Sequence, residues 1–218
     1  MEPQLPPEVR ASVSGGEDFG DERRRELRED DNLLVRVGLG DDGALVRLID
    51  RQGRGLRLFA ARYLGSATDA EDIVQDVFVA AWKHARRFDP AKGRATTWLY
   101  RIAANRCIDA RRRRSFRAFI GLDDVQDAIA GDEPTADALV GARQELAVVR
   151  NGLSRLPERQ RMALLLRAVA DLDVPAIAHV MGASAGSVEQ LLVRGRRGLR
   201  DHLARTQQTD GDRKGTSK

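Results

Sequence analysis

The feature that most constrains the fold is a helical spacing of apolar residues that is interrupted once. Residues 41–117 and 144–204 carry apolar side chains three or four positions apart, whereas residues 118–143 are acidic, contain glycine and proline and lack this period. No segment alternates between apolar and polar residues as a half-buried strand does. We therefore predict an all-α protein of two small helical domains joined by a flexible acidic linker, with disordered ends at residues 1–40 and 205–218.

Charge follows a similar division of the chain. The 37 Lys+Arg and 33 Asp+Glu residues leave a formal net charge of +4. Residues 33–119 carry +9 and residues 144–218 carry +5, while residues 1–32 and 120–143 carry −5 each. Two basic blocks favour a polyanionic partner, and the alternative is a set of ordinary solvated helix faces.

Several classes of protein are excluded by what the sequence lacks. The single cysteine, Cys107, rules out a disulfide framework and indicates a reducing compartment, and its expected role is helix packing. No apolar run is long enough to span a bilayer, so we expect a cytoplasmic protein without membrane insertion. His84, His179 and His202 are far apart, and no metal-ligand spacing, P-loop or nucleophile motif occurs. We therefore expect no enzyme, no catalytic or metal-binding residue, no cofactor and no small-molecule substrate.

Local signals define the helices of the first domain. Gly65 is predicted to end one helix, and Thr68 with Glu71 predicts a capping box at the start of the next. An apolar stripe that ends at Trp82 is predicted to be buried. A third helix is predicted from about Ala95, after a loop broken by proline and glycine.

This third helix and the loop before it interleave cations with aromatic side chains. The combination suits single-stranded nucleic acid, because bases stack on the rings and the cations hold the backbone. For Trp98 and Tyr100 the alternative is burial in the core. The cations are Lys92, Arg94, Arg101, Arg106 and Arg111–Arg114, and Asn105 and Asp109 add groups able to read base edges.

The second domain contains helix-turn-helix spacing. Ala178 permits a close approach of two helices, Gly182 supplies a left-handed turn four residues later, and Val188 anchors the second helix six residues further on. Ser184 is predicted to cap that second helix. The alternative is a helical hairpin without a DNA contact, but the arginines beyond Val188 favour DNA because they can reach phosphates and base edges.

Two sets of longer motifs carry a family resemblance. The first set is Asp69-Ala70-Glu71-Asp72-Ile73-Val74-Gln75-Asp76-Val77-Phe78, Ala81-Trp82, Phe88-Asp89-Pro90, Thr97-Trp98-Leu99-Tyr100-Arg101-Ile102-Ala103, Asn105 and Ile108-Asp109. The second is Leu156-Pro157-Glu158-Arg159-Gln160-Arg161 with the helix-turn-helix. Residues 69–114 resemble the second conserved domain, and residues 153–203 the fourth, of bacterial RNA polymerase sigma factors of the extracytoplasmic-function type.

The resemblance implies a chain that joins core RNA polymerase through its β′ and β subunits, directs it to promoters and helps to open the DNA. An anti-sigma factor is the implied inhibitory partner, and association with the nucleoid is expected when the protein is active. The resemblance places Asp69, Asp72, Gln75 and Asp76 against a coiled coil of β′. Without it, these four residues are explained equally well as a solvated helix face.

Motif position also implies two DNA-reading surfaces. The minus-ten element is read as a separated strand by Lys92, Arg94, Trp98, Arg101, Asn105, Asp109 and Arg112. Duplex minus-thirty-five DNA is read by a helix in the major groove that carries Ser187, Glu189, Gln190, Arg194, Arg196 and Arg197.

The recognition helix departs from the family pattern near its start. The family commonly has basic or hydroxyl residues there, whereas this chain has Glu189 and Gln190. Glutamate can accept from a cytosine amino group and glutamine can read adenine, so we expect an altered minus-thirty-five preference. The competing interpretation, a stand-alone helix-turn-helix regulator that uses only residues 144–204, leaves the motifs of the first domain unexplained.

Overall fold

The structure is a computed structural model that describes the backbone of residues 15–119 and 139–215 and the side chains of residues 25–117 and 147–206. Within these residues it holds eight α-helices, one 3-10 helix and no strand, so the all-α prediction is confirmed. The elements are α1 (Gly15–Gly38), α2 (Asp42–Leu64), α3 (Ala67–His84), the 3-10 helix (Ala85–Arg87), α4 (Ala95–Phe119), α5 (Leu139–Arg155), α6 (Glu158–Ala168), α7 (Val174–Met181) and α8 (Ala185–Gly215).

Helices α1 to α4 form the N-terminal unit around one apolar core. Helix α2 packs against α1, α3 and α4, and its buried Phe59 meets the ring of Tyr100 edge-on, with ring centroids 5.4 Å apart. Tyr100 is therefore a core residue, which was the alternative left open for it. Gly65 ends α2 with φ at 79°, a left-handed conformation that favours glycine.

The start of α3 differs from the predicted capping box. The capping residue is Ser66, whose hydroxyl accepts a hydrogen bond from the Asp69 amide at 3.2 Å. Ser66 has an extended backbone, as a capping residue requires, whereas Thr68 already lies inside the helix. The prediction for Thr68 and Glu71 was wrong because Ser66, two residues earlier, adopts the capping conformation.

The prediction of a disordered segment over residues 1–40 was wrong from Gly15 onwards, and residues 1–14 lie outside the described chain. Helix α1 runs to Gly38, and its Leu34 and Val37 are buried in the core of the N-terminal unit. Its acidic residues resemble a solvated tail, but Asp30 and Asp31 are only 3% and 6% exposed because they bind arginines of other elements. Composition alone does not reveal such pairing.

Helices α5 to α8 form the C-terminal unit. Gly152 lies where α5 crosses α8: a Cβ atom at this position would lie 2.6 Å from Cδ1 of Leu199, so a larger residue would require that side chain to move. Arg161 is a buried charge in this unit, at 4% exposure, and burial lowers the pKa of its guanidinium. It donates to the carbonyls of Ser154 and Leu156 at 2.9 and 3.1 Å.

Two further boundaries differ from the predicted ones. Helix α5 begins at Leu139, inside the predicted linker, and residues 120–138 of that linker lie outside the described chain. Helix α8 continues to Gly215 through most of the tail predicted to be disordered. Extending an existing helix avoids the cost of nucleation, so a polar segment without proline can continue it.

Candidate protein and nucleic-acid interfaces

An apolar groove of about 740 Å³ lies between α2 and α3. Its walls include side chains that remain strongly exposed: Val46 at 56%, Val79 at 44% and Trp82 at 43%. Exposed apolar side chains gathered in one groove make it a candidate interaction site. The groove is lined by Leu45, Val46, Ile49, Val74, Phe78, Val79 and Trp82, together with Asp42, Arg57, Glu71 and Gln75.

The prediction that the α3 stripe is buried as far as Trp82 was wrong at that residue. Ile73, Val77 and Ala81 form the buried row, and Trp82 belongs to the next row, which faces the groove. The apolar stripe on α3 therefore contains one more row of residues than the core covers. This extra row is the sequence signal for an exposed groove, and sequence reasoning missed it because it assigned the whole stripe to the core.

The four residues predicted to bind polymerase lie on one side of α3, because most pairs of their positions are three, four or seven residues apart. Gln75 lines the groove, and Asp72 is exposed. Asp69 and Asp76 face α4, where their carboxylates lie 3.9 Å from Arg114 and 3.7 Å from Arg106. Both pairs are half-exposed and contribute little to stability.

Five of the seven residues predicted to read a separated strand share one face of α4. Positions 98, 101, 105, 109 and 112 recur at steps of three and four, opposite the buried row that includes Leu99 and Ala103. Trp98 is half-buried, and its ring meets that of Phe88 at 6.3 Å. The four polar members of the face are exposed: Arg101, Asn105, Asp109 and Arg112.

The loop before α4 is ordered by two carboxylates. Asp89 accepts a hydrogen bond from the Ala91 amide at 3.0 Å, which lowers the pKa of that carboxyl, and it lies 3.3 Å from Lys92. Arg94 is bound at 2.7 Å to Asp31 of α1. Sequence reasoning missed Asp31 because it lies in the segment predicted to be disordered.

The helix-turn-helix has the geometry that its spacing predicted. Gly182 adopts a left-handed conformation with φ at 57°, and Val188 is fully buried. The Ser184 hydroxyl accepts a hydrogen bond from the Ser187 amide at 3.2 Å, which confirms the predicted cap. All six residues predicted to read duplex DNA are exposed on α8: Ser187, Glu189, Gln190, Arg194, Arg196 and Arg197.

The C-terminal unit lies against the N-terminal unit. Arg161 donates to the carbonyl of Tyr63 in α2 at 3.1 Å and lies 5.7 Å from the centre of its ring. Glu158 pairs with Arg111 at 2.6 Å. Helix α7 packs against α4, where His179 lies 3.2 Å from Arg101, a residue of the predicted minus-ten face.

Comparison with known proteins identifies both units. Sigma-70 region 2 matches residues 48–117, and Sigma-70 region 4 matches residues 146–199. RNA polymerase sigma factor NccH of Alcaligenes xylosoxydans xylosoxydans is 37% identical over 169 residues, which cover 77% of this chain and 90% of that protein. The chain belongs to the extracytoplasmic-function sigma factors. RNA polymerase sigma factor CnrH of Cupriavidus metallidurans is also similar to this sigma factor, at 35% identity over 75% of this chain and 88% of that protein.

Solved structures agree with this assignment. The structure of CnrH in complex with the cytosolic domain of CnrY has a TM-score of 0.63 and 30% identity, and the match covers 81% of this sigma factor and 97% of that chain. The sigma factor RpoE in complex with the anti-sigma factor NepR from Bartonella quintana has a TM-score of 0.60 at 23% identity, over 72% and 95% of the two chains, and supports the fold.

Membership of the family establishes the general activity. This sigma factor binds core RNA polymerase, directs it to specific promoters and promotes DNA melting at initiation. A stand-alone helix-turn-helix regulator is not favoured, because it does not account for region 2. Within the described residues, no helix is both long and apolar enough to cross a membrane.

Proposed function

We propose that the groove between α2 and α3 is the docking site for the coiled coil of the polymerase β′ subunit. The exposed apolar groove carries this proposal, because its half-exposed Trp82 and Val46 offer apolar area that a helix of the partner would bury. Gln75 lines the groove and the exposed Asp72 lies about one helical turn before it, so both supply polar contacts at the edge. The β subunit completes the polymerase surface that the sigma factor occupies.

The exposed face of α4 reads the minus-ten element as a separated strand. Extruding a base costs about a few kcal/mol, which several phosphate contacts and a stacking surface must offset. Trp98 is half-buried and leaves part of its ring available for stacking, while Arg101 and Arg112 present cations along the same face. Asn105 and Asp109 lie between them and can bind base edges.

Helix α8 reads duplex minus-thirty-five DNA from the major groove. Gly182 and the Ser184 cap set the start of the helix, and Val188 fixes it to the core. Arg194 and Arg196 supply phosphate or guanine contacts. Glu189 shifts the base preference towards cytosine, since a carboxylate accepts from its amino group and is repelled by phosphate.

An anti-sigma factor controls this protein by occupying the surfaces that polymerase requires. Two structurally similar sigma factors were solved as complexes, CnrH with CnrY and RpoE with NepR. The apolar groove is the surface for which such a protein competes with β′. A sigma factor that works on polymerase at promoters is found in the cytoplasm and with the nucleoid when active.

Reconstitution tests the proposal. Core polymerase with this chain is used to select promoters from a random DNA pool, and permanganate reactivity then maps unpaired thymines. We expect unpaired bases at the minus-ten position and a protected duplex at minus thirty-five. Duplex binding by the chain in the absence of polymerase, with no selected promoter in its presence, would instead support a stand-alone regulator.

A further inference from the structure

Asp31 lies in α1, but both of its carboxylate oxygens are bound to the start of α4. Oδ1 accepts a hydrogen bond from the Ala95 amide at 2.7 Å, and Oδ2 accepts one from a terminal nitrogen of Arg94 at 2.7 Å. The residue is only 6% exposed, so water competes little for these bonds. Helix α4 therefore receives its capping oxygen from a different helix.

Arg94 connects this contact to the minus-ten face. Its carbonyl accepts a hydrogen bond from the amide of Trp98 at 3.0 Å, which begins the hydrogen-bond pattern of α4. Its side chain is 47% exposed, and one of its nitrogens is committed to Asp31. A fixed Arg94 consequently fixes both the end of the loop and the first turn of the helix that carries Trp98.

The helix that carries Asp31 is itself firmly held. Leu34 and Val37 are buried in the core on its C-terminal side. The neighbouring Asp30 binds Arg51 of α2 at 2.6 Å. Asp31 is thus fixed to the core of the N-terminal unit, and Arg94 is the group that it binds.

We propose that Asp31 is a positioning residue for minus-ten recognition, acting through Arg94 and the first turn of α4. The proposal rests on the proposed function of the α4 face. General electrostatics predicts the opposite effect, because a carboxylate near DNA repels phosphate and its removal should strengthen binding. If Asp31 instead positions the residues that contact the bases, its removal should weaken binding and reduce the difference in affinity between the selected and altered base sequences.

A matched control is available within the same unit. Asp41 has the same chemistry as Asp31: its Oδ1 accepts from the Ala44 amide at 2.9 Å, and its Oδ2 accepts from Arg36 at 2.9 Å. It caps α2 and has no contact with the start of α4. Asp41→Asn therefore removes a comparable ion pair away from the minus-ten face, and in both variants the amide oxygen of asparagine can still accept the capping hydrogen bond.

The experiment measures binding of reconstituted holoenzyme to a fork-junction DNA taken from the wild-type selection. Its minus-ten strand is single-stranded, in the selected sequence and in sequences with one base changed. Asp31→Asn, Arg94→Ala, the double variant and Asp41→Asn are compared at several salt concentrations. Thermal unfolding of each free chain is recorded in parallel.

We expect Asp31→Asn to weaken binding by about tenfold and to reduce the ratio of the affinity for the selected sequence to the affinity for the altered sequences. Asp41→Asn should change neither the affinity nor this ratio. Arg94→Ala should produce a similar loss of DNA affinity. The double variant should lose little more affinity than either single variant, because both substitutions break the same contact between Asp31 and Arg94. If Asp31→Asn does not fold, Arg94→Ala decides, since Arg94 is half-exposed and its removal leaves the Asp31–Ala95 cap intact. A lowered salt dependence with an unchanged base preference would then make Arg94 an ordinary phosphate contact.

The positioning role would be overturned if Asp31→Asn bound the DNA as tightly as the wild type or more tightly. It would also be overturned if the loss of affinity in the double variant equalled the product of the two single losses. Either result would leave the proposed minus-ten face unaffected. Failure of wild-type holoenzyme to bind the single-stranded element would overturn the proposed function, and the role of Asp31 with it.

Discussion

Replacing Trp82 with alanine should weaken the complex with core polymerase by more than tenfold. Trp82 is 43% exposed, and a tryptophan side chain presents about 250 Å², so about 110 Å² is available for a partner to cover. At about 25 cal/mol per Å², full burial contributes about 2.7 kcal/mol, of which alanine retains only a small part. A loss of about 2 kcal/mol corresponds to about a 30-fold rise in Kd.

The measurement is an equilibrium titration of labelled chain with core polymerase, accompanied by thermal unfolding of the free chain. Because Trp82 is partly buried, its truncation also costs folding stability. Val46→Glu provides a second test, since Val46 is 56% exposed and a charge there obstructs the groove with little effect on the core. Leu39→Ala is the control, because Leu39 is 81% exposed in the turn before α2 and does not line the groove.

Two results would refute this reasoning. In the first, Trp82→Ala and Val46→Glu bind polymerase as tightly as the wild type. In the second, Leu39→Ala loses as much affinity as they do, which would mean that exposed apolar area in general, and not the groove, determines binding.

Three further predictions concern charge and reactivity. Arg51→Met should cost about 2 kcal/mol of unfolding free energy at pH 7 and less at pH 4, measured by urea unfolding. Burial raises the pKa of Asp30 in the folded state, so the stability linked to its protonated form is present below its unfolded pKa and is lost as the pH rises through its folded pKa. Arg51 opposes the increase in the pKa of Asp30, so removing Arg51 raises that pKa further and makes the loss of stability at neutral pH larger. An equal cost at both pH values would contradict this. Glu189→Arg should change the selected minus-thirty-five sequence and steepen the salt dependence of duplex binding by about one unit of slope, and no change in either would show that Glu189 does not face DNA. Burial raises the pKa of the Cys107 thiol to about 12, so a thiol reagent at pH 8 should label the folded chain only as fast as it unfolds, and rapid labelling of folded protein would contradict its burial.

The sequence predicted those parts of the fold that depend on neighbours along the chain. Gly65 and Gly182 end helices in the left-handed conformation, and Ser184 caps α8, because each signal is local. The sequence also predicted that the helical residues of the proposed minus-ten surface share one face of α4, since a helical period determines which residues share a face. The position of the exposed residues on α8 follows from the same rule.

The parts that the sequence did not predict depend on contacts between distant elements. Asp31 resembles a tail residue until Arg94 is placed beside it, 63 positions away. Trp82 resembles a core residue in the sequence, because helical periodicity shows which residues share an apolar face. Periodicity does not show how much of each residue on that face the neighbouring helices cover, and they leave Trp82 43% exposed. Arg161 resembles a surface arginine until the carbonyl of Tyr63 is seen to accept from it.

The packing of α7 against α4 has a thermodynamic consequence. Arg101 lies 3.2 Å from His179 in this arrangement, so region 4 and a minus-ten strand bound as proposed would compete for one surface. The apparent affinity for promoter DNA then equals the intrinsic affinity multiplied by the fraction of molecules in which α7 has left α4. A partner that binds only the separated arrangement raises that fraction, and linkage requires that DNA in turn strengthens the binding of that partner by the same factor. Polymerase can thereby increase promoter affinity without contributing a single contact to DNA.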